Sequence, residues 1–84
     1  MVAKHYVYIL RCRDNTFYTG YTVNINRRLQ LHEAGKGAKY TRGRGPFELV
    51  YKESFPTKSA ALQREYEIKR WNRQKKLALI NKKD

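Results

Sequence analysis

His5-Tyr6-Val7-Tyr8-Ile9-Leu10-Arg11-Cys12 is followed, after Arg13-Asp14-Asn15, by Thr16-Phe17-Tyr18-Thr19-Gly20-Tyr21-Thr22, and the fold turns on this stretch. Residues 5–12 are β-branched and aromatic on both parities, the composition of a strand covered on both faces. Asp14 and Asn15 are turn formers and Thr16–Thr22 predicts a second strand, so residues 5–22 read as a β-hairpin. Loop length sets its register, because side chains alternate faces and directly paired residues share one. A two-residue Asp14-Asn15 turn puts Tyr8 and Tyr18 on opposite faces. An odd loop, Arg13–Asn15, pairs Tyr8 with Gly20 and brings Tyr18 diagonally beside it.

Working outward, Asn24 is a good N-cap for a helix over Ile25–Ala34, with Gly35 as its C-cap. Gly35–Pro46 holds four glycines and four basic residues together with Tyr40 and Thr41, and reads as a loop. Phe47–Phe55 predicts a third strand, with Leu49, Tyr51 and Phe55 on one face. Pro56-Thr57 opens a longer helix from Lys58 to about Trp71, and a short final helix over Arg73–Asn81 carries Leu77, Leu79 and Ile80. The order ββαβαα predicts an α+β fold, a small three-stranded antiparallel sheet flanked by helices.

The 84 residues suit one domain spanning 1–84. A single cysteine, Cys12, excludes an internal disulfide framework and any multi-cysteine zinc site. No apolar run approaches the ~20 residues of a membrane span, and Met1-Val2-Ala3-Lys4 opens no signal-peptide pattern. A soluble, cytoplasmic protein is expected. Nineteen Lys and Arg against seven Asp and Glu leave a net charge of +12. Such an excess usually marks a polyanionic partner, with nucleic acid ahead of an anionic membrane surface or a merely solvated face. Six basic residues (Arg27, Arg28, Lys36, Lys39, Arg42 and Arg44) fall between Arg27 and Arg44 against the one acid Glu33. A second basic block runs from Arg64 through Lys83. Two separated blocks suit a surface that tracks a nucleic-acid backbone.

Helical geometry turns a few polar residues inward. At 100° per residue Ile25, Leu29 and His32 share one stripe of the first helix, with Arg28 at its edge and Arg27 pointing into solvent. On the second helix Ala61, Leu62 and Ile68 form an apolar stripe that includes Glu65, while Glu67 lies on the outer face. A carboxylate facing a core costs several kcal/mol unless it finds a cation or donors. Glu65 therefore needs an arginine, a hydroxyl network or a metal. An ordinary ion pair is the commoner solution, as a backbone-bonded core histidine is for His32.

These residues resemble the GIY-YIG nuclease superfamily. Tyr6-Val7-Tyr8 stands in the place of the Gly-Ile-Tyr motif and Tyr18-Thr19-Gly20 in that of Tyr-Ile-Gly. Arg28, four residues before His32, is similar to the family's first-helix signature. Arg42-Gly43-Arg44-Gly45-Pro46-Phe47-Glu48-Leu49-Val50 and Ala60-Ala61-Leu62-Gln63-Arg64-Glu65 match as well. The resemblance is closest to small stand-alone bacterial GIY-YIG proteins and to the Slx-type structure-specific endonuclease subunit. Tyr6 replaces the glycine of the first motif and Thr19 the isoleucine of the second.

The resemblance implies a metal-dependent endonuclease acting on DNA, including branched or structured DNA of repair or recombination. It implies a site of Tyr8, Tyr18, Arg28, His32 and Glu65. Glu65 falls at the metal-binding position for one divalent cation, Mg²⁺ or Mn²⁺. Arg28 falls at the position that contacts the scissile phosphate, and Tyr8 and Tyr18 are the motif tyrosines, one of which positions or deprotonates the attacking water. His32 would orient that water or a phosphate oxygen. Arg27, Lys36, Lys39, Arg42 and Arg44 would form the wider DNA-binding surface. A site shared by both tyrosines is simplest with the odd hairpin loop, which is the register expected. Two other functions fit the same sequence: a non-catalytic nucleic-acid-binding module, and a nuclease subunit whose protein partner supplies substrate specificity.

Overall fold

Asp14 and Asn15 close the first hairpin through a three-residue loop, as its odd register requires. In the computed structural model, which describes residues 4–82, Cys12 N donates to Thr16 O at 2.8 Å and Asn15 N to Cys12 O at 2.9 Å. Asn15 takes the left-handed conformation (φ 66°), one that asparagine tolerates and that ends a three-residue hairpin loop. Asp14 Oδ1 accepts from both the backbone N–H and the hydroxyl of Thr16, which holds its carboxyl below the usual carboxylate range. Met1, Val2 and Ala3 of the N-terminus and Lys83 and Asp84 of the basic tail lie outside the described residues.

The elements run β1 (His5–Arg11), β2 (Phe17–Thr22), α1 (Ile25–Glu33), β3 (Glu48–Phe55), α2 (Lys58–Lys69) and α3 (Arg73–Ile80). The sheet is antiparallel with strand order β2-β1-β3. This is the expected ββαβαα order and α+β class. Tyr8 pairs with Gly20 and Leu10 with Tyr18, so Tyr8 and Tyr18 do share a face. As the central strand, β1 has both faces covered, and Val7, Tyr8, Ile9 and Leu10 are all buried.

The two faces carry different loads. Val7 and Ile9 meet Ala61 and Ile68 of α2, with Phe17, Tyr21, Val50, Tyr51, Phe55, Trp71, Leu79 and Ile80 packed around them. This is the hydrophobic core, and α3 contributes Leu79 and Ile80 to it. The opposite face carries Tyr8, Tyr18 and Gly20 and receives α1 through His32. The sheet thus separates a structural layer from a polar one.

Three expectations need correction. The register of β1 against β3 shifts between Ile9, paired with Tyr51, and Leu10, paired with Leu49. This bulge moves Leu49 off the Tyr51–Phe55 face, since one extra residue reverses the alternation. Leu62 is 40% exposed and lies outside the buried stripe of α2, which is held by Ala61 and Ile68 alone. The C-cap of α1 is Ala34, and Gly35 follows it in the left-handed region (φ 77°), where glycine alone is unstrained. Helix ends also fall slightly earlier than expected, α2 at Lys69 and α3 at Ile80.

Candidate active site

Gly20 is where the polar layer begins. A Cβ on Gly20 would lie within 2.5 Å of the Tyr8 hydroxyl oxygen and 2.9 Å of a Tyr18 ring carbon. With no side chain there, the Tyr8 phenol folds over the β2 backbone and its hydroxyl reaches α1. The expected result of Gly20→Ala is a loss of about 1–3 kcal/mol of stability, because the buried Tyr8 ring has no room to retreat. Urea unfolding measures that loss, and the Tyr8–His32 contact should be broken along with it.

The Tyr8 hydroxyl shares a 2.8 Å hydrogen bond with His32 Nε2. Asn24 caps α1 by accepting from Arg27 N, which fixes the phase of the helix and turns His32 towards the sheet. His32 is buried among rings. Tyr18 lies edge-on at 5.2 Å between centroids, with Phe47 and Tyr8 each at 5.9 Å. On its other side Nδ1 sits 2.8 Å from Thr41 Oγ1, whose own hydroxyl donates to Ala38 O at 3.1 Å. Burial pushes the Tyr8 phenol up to about 12. Burial, with the neighbouring Arg28 charge, holds His32 below the usual histidine value. At neutral pH the phenol is therefore protonated and the imidazole uncharged.

Arg28 is half-buried and Arg27 exposed, as the helical wheel of α1 predicted. The Arg28 Nη2 donates to Gly37 O at 2.9 Å, while its buried Nε has no partner among the described residues. Its pKa is raised first by the adjoining Tyr8 hydroxyl, with Tyr18 adding to the effect. This guanidinium holds a loop with one arm and retains donor capacity for an anion.

Glu65 sits at the border of this group. Its side chain is 17% exposed, and its partner is Lys69, one turn along α2, at 3.1 Å. The inward carboxylate has thus found a cation, though a lysine of its own helix rather than an arginine or a hydroxyl network. Its negative charge reaches Tyr8 only as the weakest influence on the phenol. The structure therefore brings Tyr8, Tyr18, Arg28 and His32 into one cluster, with Glu65 beside them.

Among the described residues no group of three or more His, Cys, Asp or Glu side chains converges to hold a metal. The donor set near the cluster is one carboxylate and two phenols. That set fits a hard, largely hydrated cation such as Mg²⁺ or Mn²⁺, which binds through one or two carboxylates and is completed by waters and substrate phosphate. It does not fit a closed structural metal site.

Residues 34–47 form the rim. Arg44 pairs with Asp14 of the hairpin loop and lies 4.7 Å over the Tyr40 ring. Arg13 N donates to Arg44 O at 2.9 Å, and Phe47 N donates to Glu33 Oε2 at 3.1 Å. Tyr40, 44% exposed, stacks on Tyr18 at 5.9 Å. Arg27, Lys36, Lys39 and Arg42 are exposed, whereas Arg44 is already engaged by Asp14 and Tyr40. Thr41, Gly37 and Tyr40 were not legible as site residues. A glycine-rich loop has no period from which an inward side chain can be read. The one available signal was a threonine and a tyrosine standing side by side in an otherwise basic, glycine-rich segment.

A family model described as the GIY-YIG catalytic domain matches residues 4–78. The UPF0213 protein OB0043 of Oceanobacillus iheyensis is 64% identical over 80 residues, covering 95% of this chain and 93% of that protein. UPF0213 protein NP_0776A of Natronomonas pharaonis is 61% identical, covering 95% of this chain and 94% of that one. The solution NMR structure of UPF0213 protein BH0048 from Bacillus halodurans is 56% identical, with a TM-score of 0.61 over 92% of this chain and 82% of its own. With a tyrosine pair, an inward arginine and a histidine on one face of a three-stranded sheet, and a catalytic-domain match over nearly its full length, this chain belongs to the GIY-YIG family.

Proposed function

We propose that the protein is a cytoplasmic, single-domain, metal-dependent endonuclease that hydrolyses phosphodiester bonds in DNA, including branched or structured DNA. The observation that carries this reading is the buried Tyr8–His32 hydrogen bond beside an Arg28 whose Nε has no partner among the described residues. Hydrolysis of a phosphodiester needs a proton taken from water and a cation where charge grows on phosphorus-bound oxygens. The cluster offers one of each. Tyr8 has its hydroxyl against an uncharged imidazole, so it can pass its own proton to the ring as it takes one from water, whereas a phenol alone, with a pKa of about 12, holds its proton too tightly to act as a base at pH 7. Arg28 faces both phenols and, as a guanidinium, is suited to bidentate phosphate contact.

A divalent cation at Glu65, when bound, would polarise the phosphoryl and leaving-group oxygens as a Lewis acid. Glu65 would hold that ion, and Lys69 would exchange its carboxylate partner for a phosphate. Tyr18, stacked on Tyr40 and edge-on to the imidazole, keeps water away from the His32 ring and steers the phenol of Tyr8. The exposed Arg27, Lys36, Lys39 and Arg42 supply sequence-independent attraction to the backbone.

The deciding experiment incubates the protein with single-stranded, duplex and branched DNA, with and without Mg²⁺ or Mn²⁺, beside Glu65→Ala. Metal-dependent cleavage that is lost in Glu65→Ala while binding survives is the expected result. Affinity should fall with salt at a slope near −0.9 per phosphate neutralised on duplex. Binding with no cleavage under any condition would replace the nuclease by a binding module or a subunit that needs a partner. A flat salt response would remove nucleic acid as the ligand.

A further inference from the structure

We propose that Thr41 is the positioning residue of the Tyr8–His32 pair: it fixes the imidazole tautomer so that the bare nitrogen faces the Tyr8 hydroxyl. The catalytic consequence rests on the nuclease reading above, whereas the tautomer itself does not.

A proton count decides the matter. The Thr41 side chain is fully buried and carries one hydroxyl proton, which is committed to Ala38 O at 3.1 Å. What Thr41 Oγ1 can still offer is a lone pair, and His32 Nδ1 lies 2.8 Å from it. A bare Nδ1 would set two lone pairs against each other in a site closed to water, so Nδ1 carries the hydrogen. A neutral imidazole has a single N–H, which leaves Nε2 bare. At 2.8 Å from Nε2, the Tyr8 hydroxyl is then the donor. The result is a one-way chain: Tyr8 O–H to Nε2, Nδ1–H to Thr41 Oγ1, and Thr41 O–H to the Ala38 carbonyl.

The loop is built to hold this arrangement. A Cβ on Gly37 would collide with His32 Nδ1, so only glycine lets the segment close over that edge of the ring. Arg28 Nη2 clamps the same residue through its carbonyl at 2.9 Å, and Arg44 ties the far end of the segment to Asp14. Thr41 lies between the two anchors, and Arg44 N donates back to Thr41 O at 3.1 Å.

In the reaction the chain directs proton flow. As a water O–H bond breaks and a new O–H bond forms on Tyr8, the original Tyr8 proton passes to Nε2, and the hydroxide attacks phosphorus. His32 becomes an imidazolium whose Nδ1–H is already bonded to Thr41. It returns its proton from Nε2 to the Tyr8 oxygen, and the proton that Tyr8 took from the water passes to the departing oxygen. With the opposite tautomer, Nε2–H would point at Tyr8 and no acceptor would be available.

Long-range ¹H–¹⁵N NMR of the uniformly labelled protein reads the tautomer directly, with no DNA present. The wild-type protein is expected to show Nδ1–H at His32 near neutral pH. Thr41→Val keeps the shape but removes the lone pair, and should shift the tautomer ratio towards Nε2–H by about tenfold. In cleavage assays it should lower kcat by about ten- to a hundredfold with little change in KM. Thr41→Ser restores the hydroxyl and should return both readouts to within about threefold of wild type, which separates tautomer control from packing. An Nε2–H tautomer in the wild-type protein overturns the proposal, as does an unchanged tautomer in folded Thr41→Val. A chain that shows Nδ1–H yet cleaves no DNA would sink the nuclease reading and leave the tautomer assignment standing.

Discussion

Tyr8→Phe is expected to lower the single-turnover rate of DNA cleavage by about a thousandfold, near the middle of what a positioned proton-transfer group contributes. The ring should stay where it is, because Val7, Ile9 and Leu10 around it hold β1 at the centre of the sheet and Gly20 leaves the only space the ring needs. The lost hydroxyl leaves His32 Nε2 buried without a partner. That should destabilise the domain by about 1–3 kcal/mol, readable by urea unfolding. A variant that is folded, binds DNA and cleaves at the wild-type rate would move the chemistry to Tyr18. The pH dependence has a definite sign. Burial and Arg28 lower the His32 pKa, so the imidazole stays an acceptor through neutrality and the rate should decline only as pH falls below about 6.5. Tyr8, pushed up to about 12, adds no ionisation between pH 7 and 9. Stability follows the same group. The unfolded chain binds a proton at His32 more readily than the folded one, so this contribution is present above about pH 6.5 and is lost as pH falls towards the lower folded value.

How much of this could be read beforehand depended on whether a residue lay on a periodic element. The hairpin register followed from parity and loop length, and the inward turn of Arg28 and His32 followed from 100° per residue on a capped helix. Glu65 could be placed as an inward carboxylate by the same rule, though Leu62 on the same wheel proved exposed because α2 crosses the sheet on Ala61 and Ile68. Leu49 was misplaced because a bulge is one extra residue, invisible to an alternation that assumes none. Thr41 and Gly37 were beyond reach for a different reason. Their contacts with His32 are set by where the basic loop is anchored, at Arg28 and at Asp14, and those anchors are tertiary. The cluster that period could find holds the phenols, imidazole and guanidinium of the proposed chemistry, and the part it could not find is the loop packed against the imidazole.

Arg28 is where these two parts meet, and its removal should be the most informative loss. Arg28→Ala is expected to lower kcat by about a hundred- to a thousandfold, the range for deleting one preorganised donor at a developing oxyanion. DNA affinity should change far less, because Arg27, Lys36, Lys39 and Arg42 remain exposed to the backbone. Arg27→Ala should do the reverse in binding assays, weakening affinity for every sequence alike and reducing the salt slope by about one. Arg28→Lys is expected to resemble Arg28→Ala. A single ammonium on a flexible stem cannot keep the Gly37 carbonyl and also present a planar fork to a phosphate. Once Gly37 O is released, the loop loses its tie to α1 at that residue, and Thr41 should drift from His32 Nδ1. Both substitutions should therefore disturb the imidazole signals in the DNA-free protein as well as the cleavage rate. Arg28→Lys that cleaves at the wild-type rate would show that point charge suffices and that the guanidinium geometry is idle. A normal imidazole spectrum in Arg28→Ala would show that the ties at the Arg44 end hold the loop without Arg28.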